Sequence, residues 1–432
     1  MKASVRWRLS AMMALIYAVQ GSWWPLLAVH LRDLGITGRA RGWIFATMAL
    51  ASLATPLGAG QLADRFMATQ RLLALLYTLG TGLLIVVAWA SPAHAGMLFL
   101  IFLLYWLLTA PATALSNSLA LRNLQRPLEQ FGRVRLWGTV GWLAVGWVVT
   151  AVMAVSGAVH AGQGAHAAFA VGAALSALLA VFCLTLPHTP PLAVDSSATA
   201  APWKALGLVV RRPRVAVYLL TAFGVCLTTP FVYQVIPAYL ETRGLPRPWT
   251  ASAMTLGQVP EILALWGMPW MLCRFGYRGT LGLGIAAWAV RYGSLIADPP
   301  LWIAVAGVPL HGVGVACFTI GGQMYLDGEA PADLRASVQA LNVVVTSGIG
   351  MLLGSLLAGE TVMQSHVRPG LVFLVPCLIN TGLLLYFVQC FRPSGTSIER
   401  GVRRSISRSP VGDDARTALL RVGSLGAGSA DG

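Results

Sequence analysis

The sequence predicts an all-α membrane protein whose twelve spanning helices form two six-helix repeats. Three observations carry that prediction. Hydrophobic residues make up 56% of the 432 and charged residues only 10%, with a mean hydropathy of +0.70; a soluble globular chain carries about 25% charged residues. Twelve apolar runs come close to or exceed the roughly 20 residues that a spanning helix needs. The basic residues segregate to alternate loops. This composition excludes a soluble enzyme, a disordered chain and a nucleic-acid binder, so the net charge of +15 calls for a membrane explanation.

The first run, about 10–31, follows Lys2, Arg6 and Arg8 as a signal peptide would. It is longer than a signal core and ends at no small-residue cleavage site, so it reads as a retained first span. The others are 42–62, 72–90, 96–120, 136–156, 166–186, 215–240, 250–271, 279–297, 300–323, 337–359 and 370–391. An even number of spans returns the chain to its starting side. Counting Lys and Arg, that side carries 23, the opposite loops carry 6 (Arg32, Arg39, Arg41, Arg243, Arg247 and Arg368), and Arg291 lies within a span. The asymmetry predicts cytoplasmic termini and a multi-pass protein of the cell inner membrane.

The longest internal loop, 187–214, begins PHTPPLAVDSSATAAP and ends with RRPR. It divides the chain into a first bundle (1–190), a cytoplasmic linker (191–214) and a second bundle (215–391). Beyond lies a Gly/Ser-rich tail (392–432) expected to be disordered. The six cysteines, none closer than thirteen residues to the next, fit neither a zinc site nor a disulfide framework and read as small buried hydrophobes. The loops hold no nucleophile–base pair or metal-ligand spacing, so neither an enzyme nor a metal site is expected.

The halves echo each other. GQLADRFMATQR (60–71) follows the second span of the first half, and CRFGYRG (273–279) follows the second span of the other. Two parallel six-helix repeats are the layout of major facilitator transporters, with the substrate between the halves near the midplane. Asp64 with Arg65 and Arg71 is expected to latch helix ends on the cytoplasmic side in one conformation and release them in the other.

A charged side chain inside the membrane is costly and therefore a functional candidate. Of fifteen acids only Glu261 lies well inside a span. It follows Pro260, which removes a backbone donor, and Gln258 shares its helical face. Glu261 is a candidate proton carrier, since a low-dielectric surrounding favours a neutral carboxyl; a static ion pair with Arg291 is the other reading. His311 is a second proton-carrying candidate. Arg135, at the start of the fifth run, has Thr139 one turn further in. Trp23 and Trp24 offer rings on which an aromatic ligand can stack, or simply core filler.

On these residues the chain resembles a nucleoside:proton symporter of the major facilitator superfamily, over about 10 to 391. The resemblance rests on GSWWPL, GQLADRF, RVRLWGTVGW and LTLPHTPP in the first half. In the second it rests on LHGVGVACF and LRASVQAL, and above all on TLGQVPEI with RFGYRGTLGLGIAAWAVRYG. It implies the major facilitator fold and proton-coupled import of nucleosides by alternating access, energised by the proton gradient without a cofactor. The implied partners are a small polar solute, protons and the lipid bilayer, with a monomer and no nucleic acid. Arg135, Thr139, Gln258 and Glu261 stand where the family has the same residue types, and Trp142 where it often has Phe; Trp23 and His311 complete the expected site. The family's helix-10 aspartate is replaced by Ala316, and its helix-7 polar pair falls near Thr228 and Phe231. These departures leave open a permease for aromatic acids or sugars, or a non-transporting sensor of the same fold.

Overall fold

The computed structural model describes residues 3–90, 92–156, 164–190, 202–331, 334–364 and 368–392, with side chains described except at 3, 55–66, 127–129, 164–165 and 363–364. Residues 191–201 of the expected linker and all but the first residue of the expected disordered tail lie outside the described residues. Among the described residues all regular structure is helical, and nine segments are long and apolar enough to cross a membrane.

In the first half α1 (Ala3–Trp23) gives way at Trp24–Leu26 to one tight turn around Pro25 and continues as α2 (Leu27–Asp33). Then come α3 (Gly38–Phe66), α4 (Thr69–Ile85), α5 (Ala95–Asn123), α6 (Pro127–Val155) and α7 (Gly164–Cys183). The second half is more broken. It opens with α8 (Leu206–Arg211), α9 (Pro213–Thr228), α10 (Pro230–Gln234), α11 (Ile236–Thr242), α12 (Trp249–Thr255) and α13 (Gln258–Gly293). It ends with α14 (Leu301–Ala306), α15 (Leu310–Gly314), α16 (Gly321–Glu329), α17 (Arg335–Val343), α18 (Met351–Gln364) and α19 (Leu374–Cys390).

Proline sets several starts: Pro127, Pro213 and Pro230 stand at the first helical position, where a missing N–H costs nothing. The long α13 is two helices meeting at Gly276, whose φ of 63° and ψ of −178° suit only glycine. That bend lies within the CRFGYRG segment. The π-helical segments Val315–Ile320 and Val344–Gly350 join α15 to α16 and α17 to α18. Of the cysteines, Cys183 and Cys317 are buried as expected, whereas Cys390 is exposed at the end of α19.

Two large apolar cores form, one from Leu9 to Leu186 and the other from Ala205 to Phe391. They meet along α3–α18 and α6–α12; Val145 and Val149 of α6 share a small cluster with Ala251 of α12. Along α3–α18 the backbones touch. A Cβ on Gly359 would lie 2.7 Å from the Gly38 carbonyl oxygen, and one on Gly42 would lie 2.9 Å from that of Ser355. Overpacking such a contact costs about 1–3 kcal/mol. Gly359→Val is therefore expected to prise this end apart. Its readout is faster labelling of Gln234→Cys, in a cysteine-free background, by a membrane-impermeant maleimide; an unchanged rate would show that the glycine contact does not hold this end together.

Ion pairs tie the same end. Arg247 grips Asp33 with two nitrogens, at 2.6 and 3.0 Å, Arg32 reaches Glu241 at 2.5 Å, and Arg39 meets Glu360 at 2.8 Å. Arg247 and Asp33 are each about nine-tenths buried. Burial works to lower the Arg247 guanidinium, but its hydrogen bonds and charge contacts with Asp33 and Glu241 outweigh that and hold it above its ordinary value.

Candidate functional site

A cavity of about 200 Å³ lies where the two halves face each other. α6 lines it with Arg135, Thr139 and Trp142, a spacing of four and three that puts them on one helical face. α6 begins at Pro127, so Arg135 stands two turns inside it, not at the helix start expected from the apolar run. The polar segment before that run simply continues the helix. Arg135 is positioned by α1: its Cζ lies 4.3 Å from the centre of the Tyr17 ring, and its Nη2 donates to the Tyr17 hydroxyl. Gly138 makes room, since a Cβ there would sit 2.7 Å from Tyr17 Cδ2.

The second half contributes Tyr233, Gln258, Glu261, His311 and Val315. The span expected over 250–271 is interrupted at Leu256–Gly257, so Glu261 is not at mid-helix but in the first turn of α13. Pro260 falls in that same turn, where few backbone donors find partners anyway. The break is held by close packing: a Cβ on Gly312, beside His311 in α15, would lie 1.9 Å from the Gly257 carbonyl oxygen and 2.6 Å from the Glu261 nitrogen. His311 is buried with its ring edge-on to Trp288 (5.2 Å) and Tyr233 (6.1 Å). Tyr233 also approaches Trp142 at 6.4 Å and Trp24 at 5.9 Å, so aromatic rings bridge the halves at one wall of the cavity.

Three lining side chains carry a buried polar atom with no hydrogen-bond partner among the described residues: Trp142 Nε1, Gln258 Oε1 and His311 Nδ1. They offer a donor, an acceptor and a group able to act as either. Arg135 adds a fixed cation and Glu261 a partly buried carboxyl. The arrangement suits a neutral, flat solute with hydrogen-bonding groups on several edges.

Six of the seven expected binding residues thus meet around one space. Trp23 does not: it is fully buried in the first core, stacked on Phe102 (5.3 Å) and Phe169 (5.7 Å). Nor does Glu261 pair with Arg291. Arg291 is 1% exposed and its Nη1 and Nη2 have no hydrogen-bond partner among the described residues; the cation acting on Glu261 is Arg135. Phe231 belongs to the second core, and Thr228 is buried and accepts from Asn380 at 2.9 Å. Ala316 is buried beside the lining Val315. The side chains of Asp64 and Arg65, two of the expected latch residues, lie outside those described, and Arg71 is exposed.

Sequence reasoning missed Tyr17 and Tyr233, since a search for charges and amides passes over tyrosine. A signal exists for Tyr233: with Gln234 it follows TTP in an otherwise apolar span.

The family model for nucleoside H+ symporters matches residues 1–395. YegT of Escherichia coli (strain K12) is 31% identical over 358 residues, which span 82% of this chain and 83% of YegT. Nucleoside permease NupG of the same organism is 25% identical over 427 residues, spanning 91% of this chain and 99% of NupG. The crystal structure of a NupG mutant shares the fold, with a TM-score of 0.80 at 24% identity over 90% of this chain and all of that one. By a family match over nearly its whole length, and by a relative 31% identical over four-fifths of it, this chain belongs to the nucleoside H+ symporter family.

Proposed function

We propose that the protein imports nucleosides with protons by alternating access. In this reading the solute is held by Arg135, Thr139 and Trp142 of the first half and Gln258, Glu261 and His311 of the second. The observation that carries this is a cavity shared by both halves, with unpaired polar atoms on each side of it. A site so divided is remade whenever the halves rock, which is how one face closes as the other opens. Glu261 carries the proton and His311 positions the solute. The proton gradient is the energy source, with no cofactor, and one copy of the chain suffices.

In the same reading twelve helices in two six-helix repeats cross the inner membrane, with both termini cytoplasmic. The ion-paired end then faces the periplasm, and Asp64, Arg65 and Arg71 form the latch on the cytoplasmic side. The test is uptake into proteoliposomes under an imposed pH gradient, with radiolabelled nucleosides, aromatic acids and sugars in parallel. Nucleosides should accumulate only with the inside alkaline. Accumulation of an acid or sugar in their place would reassign the solute, and binding without any movement would make the protein a sensor.

A further inference from the structure

A second cavity, about 380 Å³, lies at the ion-paired end and shares no lining residue with the first. Thr37, Gly38 and Arg41 line it from the first half and Gln234 from the second. Arg41 is 3% exposed, and its Nε and Nη2 are buried without a hydrogen-bond partner among the described residues. Among the described residues the charged group acting on it is Arg32, which also lines the cavity and is of like sign. A buried guanidinium with no counter-charge is among the costlier things a fold can keep. Gln234 is the converse: its Nε2 donates to the Ser355 carbonyl at 3.3 Å, while its Oε1 is buried and unpaired.

The start of α3 adds to the positive field. Thr37 occupies the cap position of this 29-residue helix without a side-chain cap bond. The start of α3, with the positive end of its helix dipole, therefore lies at the space that Thr37 and Gly38 line. A side chain in the first turn tilts back toward the helix start, and Arg41 lines the same cavity as Thr37 and Gly38. Nε–H and Nη2–H lie along one edge of the guanidinium plane, the pair that takes two oxygens of one oxyanion at once.

We propose that this cavity is a binding site for a small oxyanion, carboxylate or phosphate, gripped side-on by Arg41 at the start of α3. Gln234 Oε1 favours an oxyanion that also carries a hydroxyl or N–H donor, of which protonated inorganic phosphate is the simplest. Because both halves line the site, its occupant ties them together at this end. A free anion and a lipid headgroup share this chemistry.

The test uses the purified full chain. In neutral detergent at constant ionic strength, inorganic phosphate should raise the unfolding midpoint saturably, as a ligand of the folded state must, and acetate should do so more weakly. Arg41→Gln should abolish the effect while raising the midpoint measured without phosphate, because an unpaired buried charge is gone. Should that variant not fold, Arg41→Lys keeps the charge without the two-pronged edge and should weaken phosphate binding by about tenfold. Stabilisation that instead appears only in nanodiscs of phosphatidylglycerol, not phosphatidylcholine, and depends on Arg41, assigns the site to a lipid headgroup. No saturable effect in either setting, or an equal effect without Arg41, overturns the proposal.

Discussion

Glu261→Gln is expected to abolish proton-driven accumulation while leaving solute binding intact. Glutamine has the shape of the protonated acid but can neither take nor release a proton. In a coupled cycle moving one proton per solute, each unit of pH gradient supports about a tenfold solute gradient; the variant should only equilibrate its solute, losing that factor entirely. The geometry gives the reason. Among the described residues Glu261 is the one carboxyl that lines the central cavity, and Ala316 offers no second. Protonated and neutral, it tolerates the dry arrangement in which both ends are shut. Ionised, it has Arg135 facing it and the start of α13 behind it, and it needs water from an open face. A proton that binds the two arrangements unequally shifts the balance between them. Solute exchange without a gradient should survive, so comparing exchange with accumulation separates lost coupling from lost folding. Full pH-dependent accumulation in the variant would move the proton to His311.

Arg135→Lys should weaken solute binding by roughly ten- to a hundredfold, about 1.4–2.8 kcal/mol, with normal amounts of protein in the membrane. The charge stays, but two things go. One is the fork that can meet two oxygens or nitrogens of a solute together; the other is the planar group that lies over Tyr17 and donates to its hydroxyl. Tyr17→Phe, which keeps the ring and loses the hydroxyl, should cost less, and the double variant should fall short of the sum because the two residues share one contact. Equilibrium binding of labelled nucleoside measures all three. A lysine variant that binds as well as the parent would reduce Arg135 to an anchor of α6.

The lipid-facing and core-facing parts of this fold are legible because bulk hydrophobicity dictates them. Runs such as 96–120 and 370–391 are apolar all round and recur as α5 and α19 with little shift. The site is legible where rarity exposes it, as with Glu261, Gln258 and Arg135. What resists reading is where a span breaks. α12 stops before Leu256–Gly257 because Gly312 lets another helix close on that turn, a contact between residues more than fifty positions apart. Trp23 shows the converse limit. A tryptophan beside a break reads equally well as ligand platform or filler, and only the positions of Phe102 and Phe169 decide between them.

The ion-paired end has a charge arithmetic of its own. Its first half supplies Arg32 and Asp33, its second Glu241 and Arg247, one of each sign on either lip. Across the seam they pair as Arg32 with Glu241 and Arg247 with Asp33; yet Arg32 also stands 3.7 Å from Asp33, and Arg247 stands 3.4 Å from Glu241. When the lips part, each can therefore swap a foreign partner for its own neighbour. None of these four charges is stranded at the rupture, unlike Arg39 and Glu360 further along the seam, so this part of the seam resists opening by the shape of the contact more than by its strength, and it reseals without searching for a register. Such an arrangement favours fast reversal over a firm lock, which is what a carrier needs from a door it must work once in every turnover.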